Sequence, residues 1–131
     1  MFVSCFHRSP IEDFPVEKWD LVNDVILKGT FLLTKHALPA MQKQKKGRII
    51  NISSAHGRIP DAYKSAYCAA KFGQVGFTKV TALENALKGI TCNTIEPGPV
   101  RTELIDRKTT TKTCRTRWNN CRRGSKLPHP R

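Results

Sequence analysis

The stretch SAHGRIPDAYKSAYCAAK, residues 54–71, connects a predicted strand to a predicted helix and so sets the order of the elements around it. Upstream, the β-branched run RIINISS at residues 48–54 predicts a short buried strand. Downstream, the alanine-rich segment 66–88 predicts a long helix that Gly89 is placed to end. Residues 56–65 between them are predicted to be a loop.

The flanking segments extend this alternation of helix and strand. Apolar residues recur at steps of three to four over residues 16–45, which predicts a helix that Pro39 is expected to kink or break near its last turns. The run ITCNTI at residues 90–95 predicts a second strand. This order is typical of an α/β fold, here a fragment of a Rossmann-like, doubly wound parallel sheet. Such folds place their chemistry in the loops at the carboxyl ends of strands, here after Ser54 and Ile95.

The positive charge of the chain is concentrated at one end. The net charge is +13, and nine of the 23 Lys and Arg residues, but none of the ten Asp and Glu residues, lie in segment 107–131. That segment has no apolar period and few core-forming residues, so it is predicted to be a disordered basic tail. Residues 1–106 are predicted to form the folded part.

Cysteine usage and hydropathy indicate a cytoplasmic chain. The five cysteines form no C-x-x-C pair and no matching His pair follows them, so a zinc site is disfavoured. Free thiols in a reducing compartment are expected instead. No apolar run is long enough for a transmembrane helix, and the first residues lack the pattern of a secretory signal. We therefore expect no membrane partner.

Three residues of the 54–71 stretch have side chains suited to proton transfer at an alcohol or a carbonyl. Tyr67 and Lys71 are four residues apart, so they share one face of the predicted helix, and Ser54 ends the preceding strand. A phenol ordinarily has a pKa of about 10 and is a poor base at neutral pH, but a neighbouring ammonium favours the phenolate. A tyrosine so activated accepts a proton while a serine hydroxyl hydrogen-bonds the reacting oxygen.

Three motifs in order identify the family that the chain resembles. NISS at residues 51–54, YCAAK at 67–71 and NTIEPGPVRT at 93–102 resemble three parts of the short-chain dehydrogenases/reductases. Those parts are the strand with the catalytic serine, the Tyr-x-x-x-Lys motif and the loop that contacts the nicotinamide. The resemblance covers about residues 7–106, and it implies an oxidoreductase. The catalytic residues that it implies are Ser54, Tyr67 and Lys71.

The resemblance also implies NAD as the cofactor. Lys71 is then expected to bind the ribose hydroxyls and to tune Tyr67, while the loop after the second strand holds the nicotinamide carboxamide. For Thr102, a loop or helix-capping role is the alternative. The cofactor-binding residues that the resemblance implies are Tyr67, Lys71, Pro97, Gly98, Val100 and Thr102.

Within the family, the chain is most similar to the D-3-hydroxybutyrate dehydrogenases. The matching runs are GRIINISSAHG at residues 47–57, YKSAY at 63–67 and PIEDFPVEKWD at 10–20. This similarity implies that His56 and Lys64 hold the carboxylate of a small hydroxy acid, 3-hydroxybutyrate, which is oxidised to acetoacetate. Without the resemblance, the simpler interpretation of His56 and Lys64 is that both are loop residues whose side chains face the solvent.

The chain departs from the family pattern at several positions. It contains no G-x-x-x-G-x-G motif, so we expect a chain truncated at both ends that lacks the amino-terminal dinucleotide-binding half and has little activity alone. Ile26 stands where the family has a catalytic Asn that supports a proton relay, and an Ile side chain forms no hydrogen bond. Phe6, and a position near Lys108, stand where substrate-side Gln residues are expected. The 107–131 segment resembles a different reading frame or a spliced-in piece.

Two other functions stay open at this point. The long helices 16–45 and 66–88 commonly pair between subunits in the family, so a homo-oligomer is expected. A non-catalytic fragment that binds a full-length relative through these helices is the alternative function. The basic tail would neutralise nucleic-acid phosphates without specificity. Its single aromatic residue, Trp118, offers little stacking, so no specific nucleic-acid partner is expected.

Overall fold

The computed structural model describes residues 7–100, and these form a helix–strand–helix–strand arrangement. Of these, residues 7–98 form one compact unit. The predicted basic tail 107–131, Thr102 and Phe6 lie outside the described residues. The elements, in chain order, are helix α1 (Val16–Asn23), a π-helical turn (Asp24–Lys28), helix α2 (Gly29–Lys43), strand β1 (Gly47–Ile52), a 3₁₀ turn (Ala55–Gly57), helix α3 (Ser65–Asn85), a second 3₁₀ turn (Ala86–Lys88) and strand β2 (Ile90–Ile95).

The two strands pair in parallel, as the fold class requires. In their register Gly47 lies opposite Ile90 and Ile52 lies opposite Ile95. Parallel neighbours need a crossover connection, and α3 supplies it. The chain segment is thus a β–α–β unit of a Rossmann-like sheet, with α1 and α2 preceding it, and the predicted fold class is confirmed.

The first helical segment is interrupted at a different place from the one predicted. Pro39 lies inside α2, which continues to Lys43, so Pro39 does not break the helix, and a kink at this position stays a prediction. Pro39 lacks the N–H that would bond to the Lys35 carbonyl, and both residues lie on the exposed side of α2. The regular helix changes instead at Asp24–Lys28, where the Ile26 carbonyl accepts a hydrogen bond of 2.7 Å from the Thr30 hydroxyl.

Small residues of α3 allow the first helical segment to pack closely against it. Ala66 and Ala70 are fully buried and form a cluster with Val22 of α1. A Cβ on Gly73 would lie 2.9 Å from a methyl carbon of Leu27, so the lack of a side chain at Gly73 permits this close approach. Gly76 has no neighbour within 4 Å of its Cβ position among the described residues.

Gly89 ends the second 3₁₀ turn in the left-handed conformation, with φ of +71°, and lets the chain enter β2. A Cβ there would lie 2.2 Å from the Lys45 carbonyl oxygen. The stop predicted at Gly89 is therefore confirmed. None of the helices within residues 7–100 combines the length and the apolar character that crossing a membrane would require.

We expect Gly89→Ala to destabilise the chain and Gly76→Ala to stabilise it. The first change combines the left-handed strain of about 1–2 kcal/mol with a backbone clash. The second removes a helix-interior glycine and should gain about 0.5–1 kcal/mol. Urea unfolding of both variants measures the difference, and a Gly89→Ala midpoint equal to that of the unmodified chain would contradict the close contact with Lys45.

Candidate active site

The carboxyl ends of β1 and β2 lie side by side and continue their pairing into the loops that follow. The Ser53 N–H donates to the Ile95 carbonyl at 2.8 Å, and the Ala55 N–H donates to the Pro97 carbonyl at 3.0 Å. The loop with Ser54 and His56 therefore lies beside the loop with Pro97. This is the edge at which a parallel sheet presents functional side chains.

Ser54 begins the 3₁₀ turn as its capping residue. Its hydroxyl oxygen accepts a hydrogen bond of 3.2 Å from the His56 N–H. A hydroxyl that accepts in this way still carries its own hydrogen for donation. Gly57 is buried, and a Cβ there would lie 2.9 Å from the Ser53 hydroxyl oxygen and 3.1 Å from the Lys71 carbonyl. The absence of a side chain at Gly57 thus lets this turn pack directly on α3.

Tyr67 lies in the first turn of α3, and two other predicted site residues, His56 and Lys71, lie beside its ring. The rings of His56 and Tyr67 meet edge to face with centroids 6.0 Å apart. The Lys71 Nζ lies 5.9 Å from the Tyr67 ring centroid. It also donates to the Ile52 carbonyl at 2.9 Å, which holds the ammonium at the end of β1.

His56 and Lys64 are in direct contact. The Lys64 Nζ lies 2.9 Å from His56 Nε2, and His56 Nδ1 lies 3.1 Å from the Ile59 carbonyl oxygen. A carbonyl oxygen only accepts, so Nδ1 carries the hydrogen and Nε2 accepts from the ammonium. Lys64 is 8% exposed, which contradicts the simple interpretation of a solvent-facing loop lysine.

Two charged residues that sequence reasoning missed complete this cluster. Lys64 Nζ lies 2.8 Å from Asp61 Oδ2, and the Arg8 guanidinium lies 3.2 Å from the same oxygen. The spacing of Asp61 and Lys64, three residues apart with opposite charge, was a signal that could have found the first contact. Arg8 is 53 positions from Asp61, and no local pattern indicates that pair.

The backbone at Tyr63 is shaped to present Lys64. Tyr63 has a φ of +66°, a left-handed conformation that is unusual for a residue with a side chain. Its carbonyl accepts a hydrogen bond of 3.2 Å from the Ser9 N–H. Together with the Arg8–Asp61 ion pair, this bond ties the segment at residues 7–9 to the turn that precedes α3.

The charges of the cluster set the ionisation of Asp61. Burial acts to raise its pKa, but the hydrogen bond and charge of Lys64, with the charge of Arg8, outweigh that effect and hold the pKa below its ordinary value. Asp61 is therefore a carboxylate at neutral pH. With Arg8 and Lys64 both cationic, the three charged side chains carry a net positive charge.

Three residues that the resemblance predicts to bind the cofactor follow β2 along the chain. They are Pro97, Gly98 and Val100, and each of them is exposed. Arg58 donates to both carboxylate oxygens of Glu96, and this hydrogen bonding lowers the Glu96 pKa. An open cleft of about 320 Å³ lies between the two loops, and the residues that line it are Ala55, Arg58, Ile59, Thr94 and Glu96.

These residues fit one end of a dinucleotide. The Lys71 ammonium suits ribose hydroxyls, and the exposed backbone at Pro97 and Gly98 suits an amide. A glycine-rich turn for the phosphates is not present in the 131 residues. The expected Asn position, Ile26, packs its side chain against the Val22–Ala66–Ala70 cluster. Within residues 7–100, no group of three or more His, Cys, Asp and Glu is placed to hold a metal ion.

We expect Asp61→Asn to destabilise the chain at neutral pH by about 0.5–1 kcal/mol, because the ion pairs are partly exposed and solvent screens them. The folded-state pKa of Asp61 is depressed, so its contribution is complete above its ordinary pKa of about 3.9 and disappears as the pH falls through the lower folded value. Urea unfolding at pH 7 and near pH 2 measures this. Asp24→Asn, which removes an exposed pair with Lys28, is the matched control. An equal loss at both pH values would contradict the assignment.

Comparisons with known proteins show the family to which the chain is similar. The family model described as short chain dehydrogenase matches residues 4–113. The chain is 52% identical over 102 residues to the D-beta-hydroxybutyrate dehydrogenase of Cupriavidus necator, covering 78% of this chain and 40% of that protein. It is 51% identical over 98 residues to the D-beta-hydroxybutyrate dehydrogenase of Rhizobium meliloti, covering 75% of this chain and 38% of that protein.

A solved structure is similar over the same part of the chain. The crystal structure of acetoin dehydrogenase from Enterobacter cloacae matches with a TM-score of 0.70 and 36% sequence identity. The match covers 77% of this chain and 40% of that one. The chain thus spans about 40% of the length of the relatives that it matches.

Proposed function

The chain belongs to the short-chain dehydrogenase family, and we propose that its site serves the NAD-dependent oxidation of D-3-hydroxybutyrate to acetoacetate. One observation carries the proposal: His56, which contacts the buried Lys64, lies edge to face with the Tyr67 ring. This supports a site in which a cationic group binds a carboxylate next to the residue that we propose to handle the proton of an alcohol. Relatives that are about half identical carry the name D-beta-hydroxybutyrate dehydrogenase, which supports this substrate class.

In the proposed reaction the chain's own residues handle the proton and the developing charge. Tyr67 accepts the proton of the substrate hydroxyl as the carbon–oxygen bond becomes a carbonyl. Ser54 donates its hydroxyl hydrogen to the same oxygen, because its own oxygen already accepts from His56. Lys71 places a positive charge over the Tyr67 ring, which favours the phenolate. The nicotinamide supplies the acceptor for the hydride that leaves the substrate carbon.

The substrate carboxylate is proposed to bind at His56 and Lys64. The ammonium of Lys64 forms a charge-assisted hydrogen bond to a carboxylate, which is stronger than a bond between neutral groups. Arg8 offsets the negative charge of Asp61 at 3.2 Å, so the cluster still attracts an anion. A hydroxy acid held in this way would present its hydroxyl toward Tyr67.

Members of the family use NAD or NADP, and NAD is our proposal for this chain. Its nicotinamide end is proposed to contact Lys71 and the loop after β2. Tyr67, in the first turn of α3, would complete the surface that contacts the nicotinamide end. The loop residues in this role are Pro97, Gly98, Val100 and Thr102.

Family members are typically oligomeric, and we propose the same for this chain. Apolar side chains on α2 and α3 stay exposed, including Leu33 at 76% and Leu83 at 79%, which supports a helical surface for a second subunit.

The thiols of Cys68 and Cys92 are buried and unbridged. Such thiols persist in a reducing compartment, and we therefore propose a cytoplasmic location.

Two assays test the activity. The first measures NADH formation by the 131-residue chain with D-3-hydroxybutyrate. The second uses the Cupriavidus necator enzyme with its matching segment replaced by residues 7–100 of this chain, which the 52% identity makes practicable. The hybrid supplies the remaining parts of a complete dehydrogenase. An inactive hybrid that nevertheless folds and binds NAD would contradict the proposed catalytic role of this segment.

We expect Tyr67→Phe to lower the rate of the hybrid by about 10²–10⁴-fold, because it removes the proton acceptor but keeps the ring. Tyr63→Phe is the matched control, since Tyr63 is the only other tyrosine and its ring is 48% exposed. Initial rates at saturating substrate measure both variants. Equal rates for the two variants would rule out Tyr67 as the acid–base residue.

We expect Lys64→Met to raise KM for D-3-hydroxybutyrate by about 10- to 100-fold, as loss of a charge-assisted hydrogen bond of about 1.5–3 kcal/mol predicts. The same variant should leave KM for the methyl ester of the substrate nearly unchanged, because the ester carries no charge. Lys79→Met, on the exposed side of α3, is the control. A parallel increase in KM for acid and ester would show that Lys64 does not recognise the carboxylate.

A further inference from the structure

A buried glutamine links the candidate active-site lysine to the first helical segment. Gln74, on α3, is 6% exposed. Its Oε1 accepts a hydrogen bond of 3.2 Å from Lys71 Nζ, and its Nε2 donates to the Thr30 hydroxyl at 2.8 Å. Thr30 in turn donates to the Ile26 carbonyl at 2.7 Å. The chain of bonds thus runs from the ammonium to the π-helical turn.

The direction of these bonds follows from the chemistry of the groups. A threonine hydroxyl has one hydrogen, and Thr30 gives it to a carbonyl, which can only accept. The Thr30 oxygen must therefore accept from Gln74, so the amide NH₂ faces Thr30. The amide oxygen then faces Lys71, with the negative end of the amide dipole toward the ammonium. Thr30 in this way determines the orientation of Gln74.

The position of the lysine depends on this arrangement. Lys71 Nζ is held between the Gln74 amide oxygen and the Ile52 carbonyl at 2.9 Å, and it lies over the Tyr67 ring. A lysine side chain is long and flexible, so its ammonium needs fixed acceptors to keep one place. The backbone carbonyl at Ile26 anchors the other end, which makes the link independent of the side chain at that position.

We propose that Gln74 is a positioning residue that holds the Lys71 ammonium against the end of β1 and over Tyr67. Its importance for catalysis rests on the proposed function, in which Lys71 favours the Tyr67 phenolate. The holding of the ammonium itself is a property of the folded chain and can be measured without any activity.

The test compares Gln74→Leu with Gln74→Glu in the 131-residue chain. Both variants lose the N–H that donates to Thr30, but only Glu keeps an acceptor for Lys71. A trace of acetic anhydride labels each lysine according to its neutral, accessible fraction, and acceptors that favour the ammonium slow this labelling. Mass spectrometry of peptides then gives the labelling of Lys71 relative to the exposed Lys79.

The proposal predicts that Gln74→Leu raises the relative labelling of Lys71 several-fold, whereas Gln74→Glu leaves it at or below the level of the unmodified chain. A purely structural role predicts that the two variants behave alike, and that result would overturn the proposal. Unchanged labelling in Gln74→Leu would overturn it as well. If Gln74→Leu does not fold, Thr30→Val serves instead, because it removes the hydroxyl that orients the amide and should also raise the labelling.

Failure of the proposed function would look different. If the labelling follows the prediction but Lys71→Met retains full activity in the hybrid enzyme, then Gln74 holds a lysine that catalysis does not need. If Lys71→Met is inactive and Gln74→Leu lowers kcat while Gln74→Glu restores it, both the function and the positioning role are supported. A loss of activity in Gln74→Leu without a change in Lys71 labelling would contradict the positioning role alone.

Discussion

The parallel pairing of β1 with β2 is the constraint on which the candidate site depends. Because Ile52 lies opposite Ile95, the two strands end at the same level and their loops leave the sheet together. The Ile52 carbonyl is then available to Lys71, and Ala55 reaches Pro97. A change of register by one residue would reverse the faces of the strand and separate these contacts.

The parts of the site that local patterns describe were predictable from the sequence. Strand propensity predicts the strand in the run at 48–54, and periodicity predicts the helix after it. The backbone freedom of glycine predicts the stop at Gly89. The spacing of Tyr67 and Lys71 places both side chains on one face of α3. The structure also brings His56 to Lys64 and Tyr67. The roles of these residues in substrate and cofactor binding stay predictions, since geometry alone does not test them.

Contacts between distant segments were not predictable in the same way. Arg8 and Asp61 are 53 positions apart, and Gln74 and Thr30 are 44 positions apart, so neither pair leaves a periodic signal. The π-helical turn at Asp24–Lys28 also has no local signal in the sequence, since threonines that bond to the carbonyl four residues earlier occur in the regular helix α3 as well. At Pro39 a local rule indicated a kink or a break, but α2 continues through this residue to Lys43.

The proposed function requires that the 54–71 stretch binds a small hydroxy acid through its carboxylate. Amide chemical shifts of the ¹⁵N-labelled chain, followed during titration with D-3-hydroxybutyrate, test it most directly and need no cofactor. We expect saturable shifts centred on His56, Lys64 and Tyr67 with the acid, and none with the uncharged 3-hydroxybutyramide. Shifts that do not saturate, that centre elsewhere, or that are the same for both compounds would contradict it.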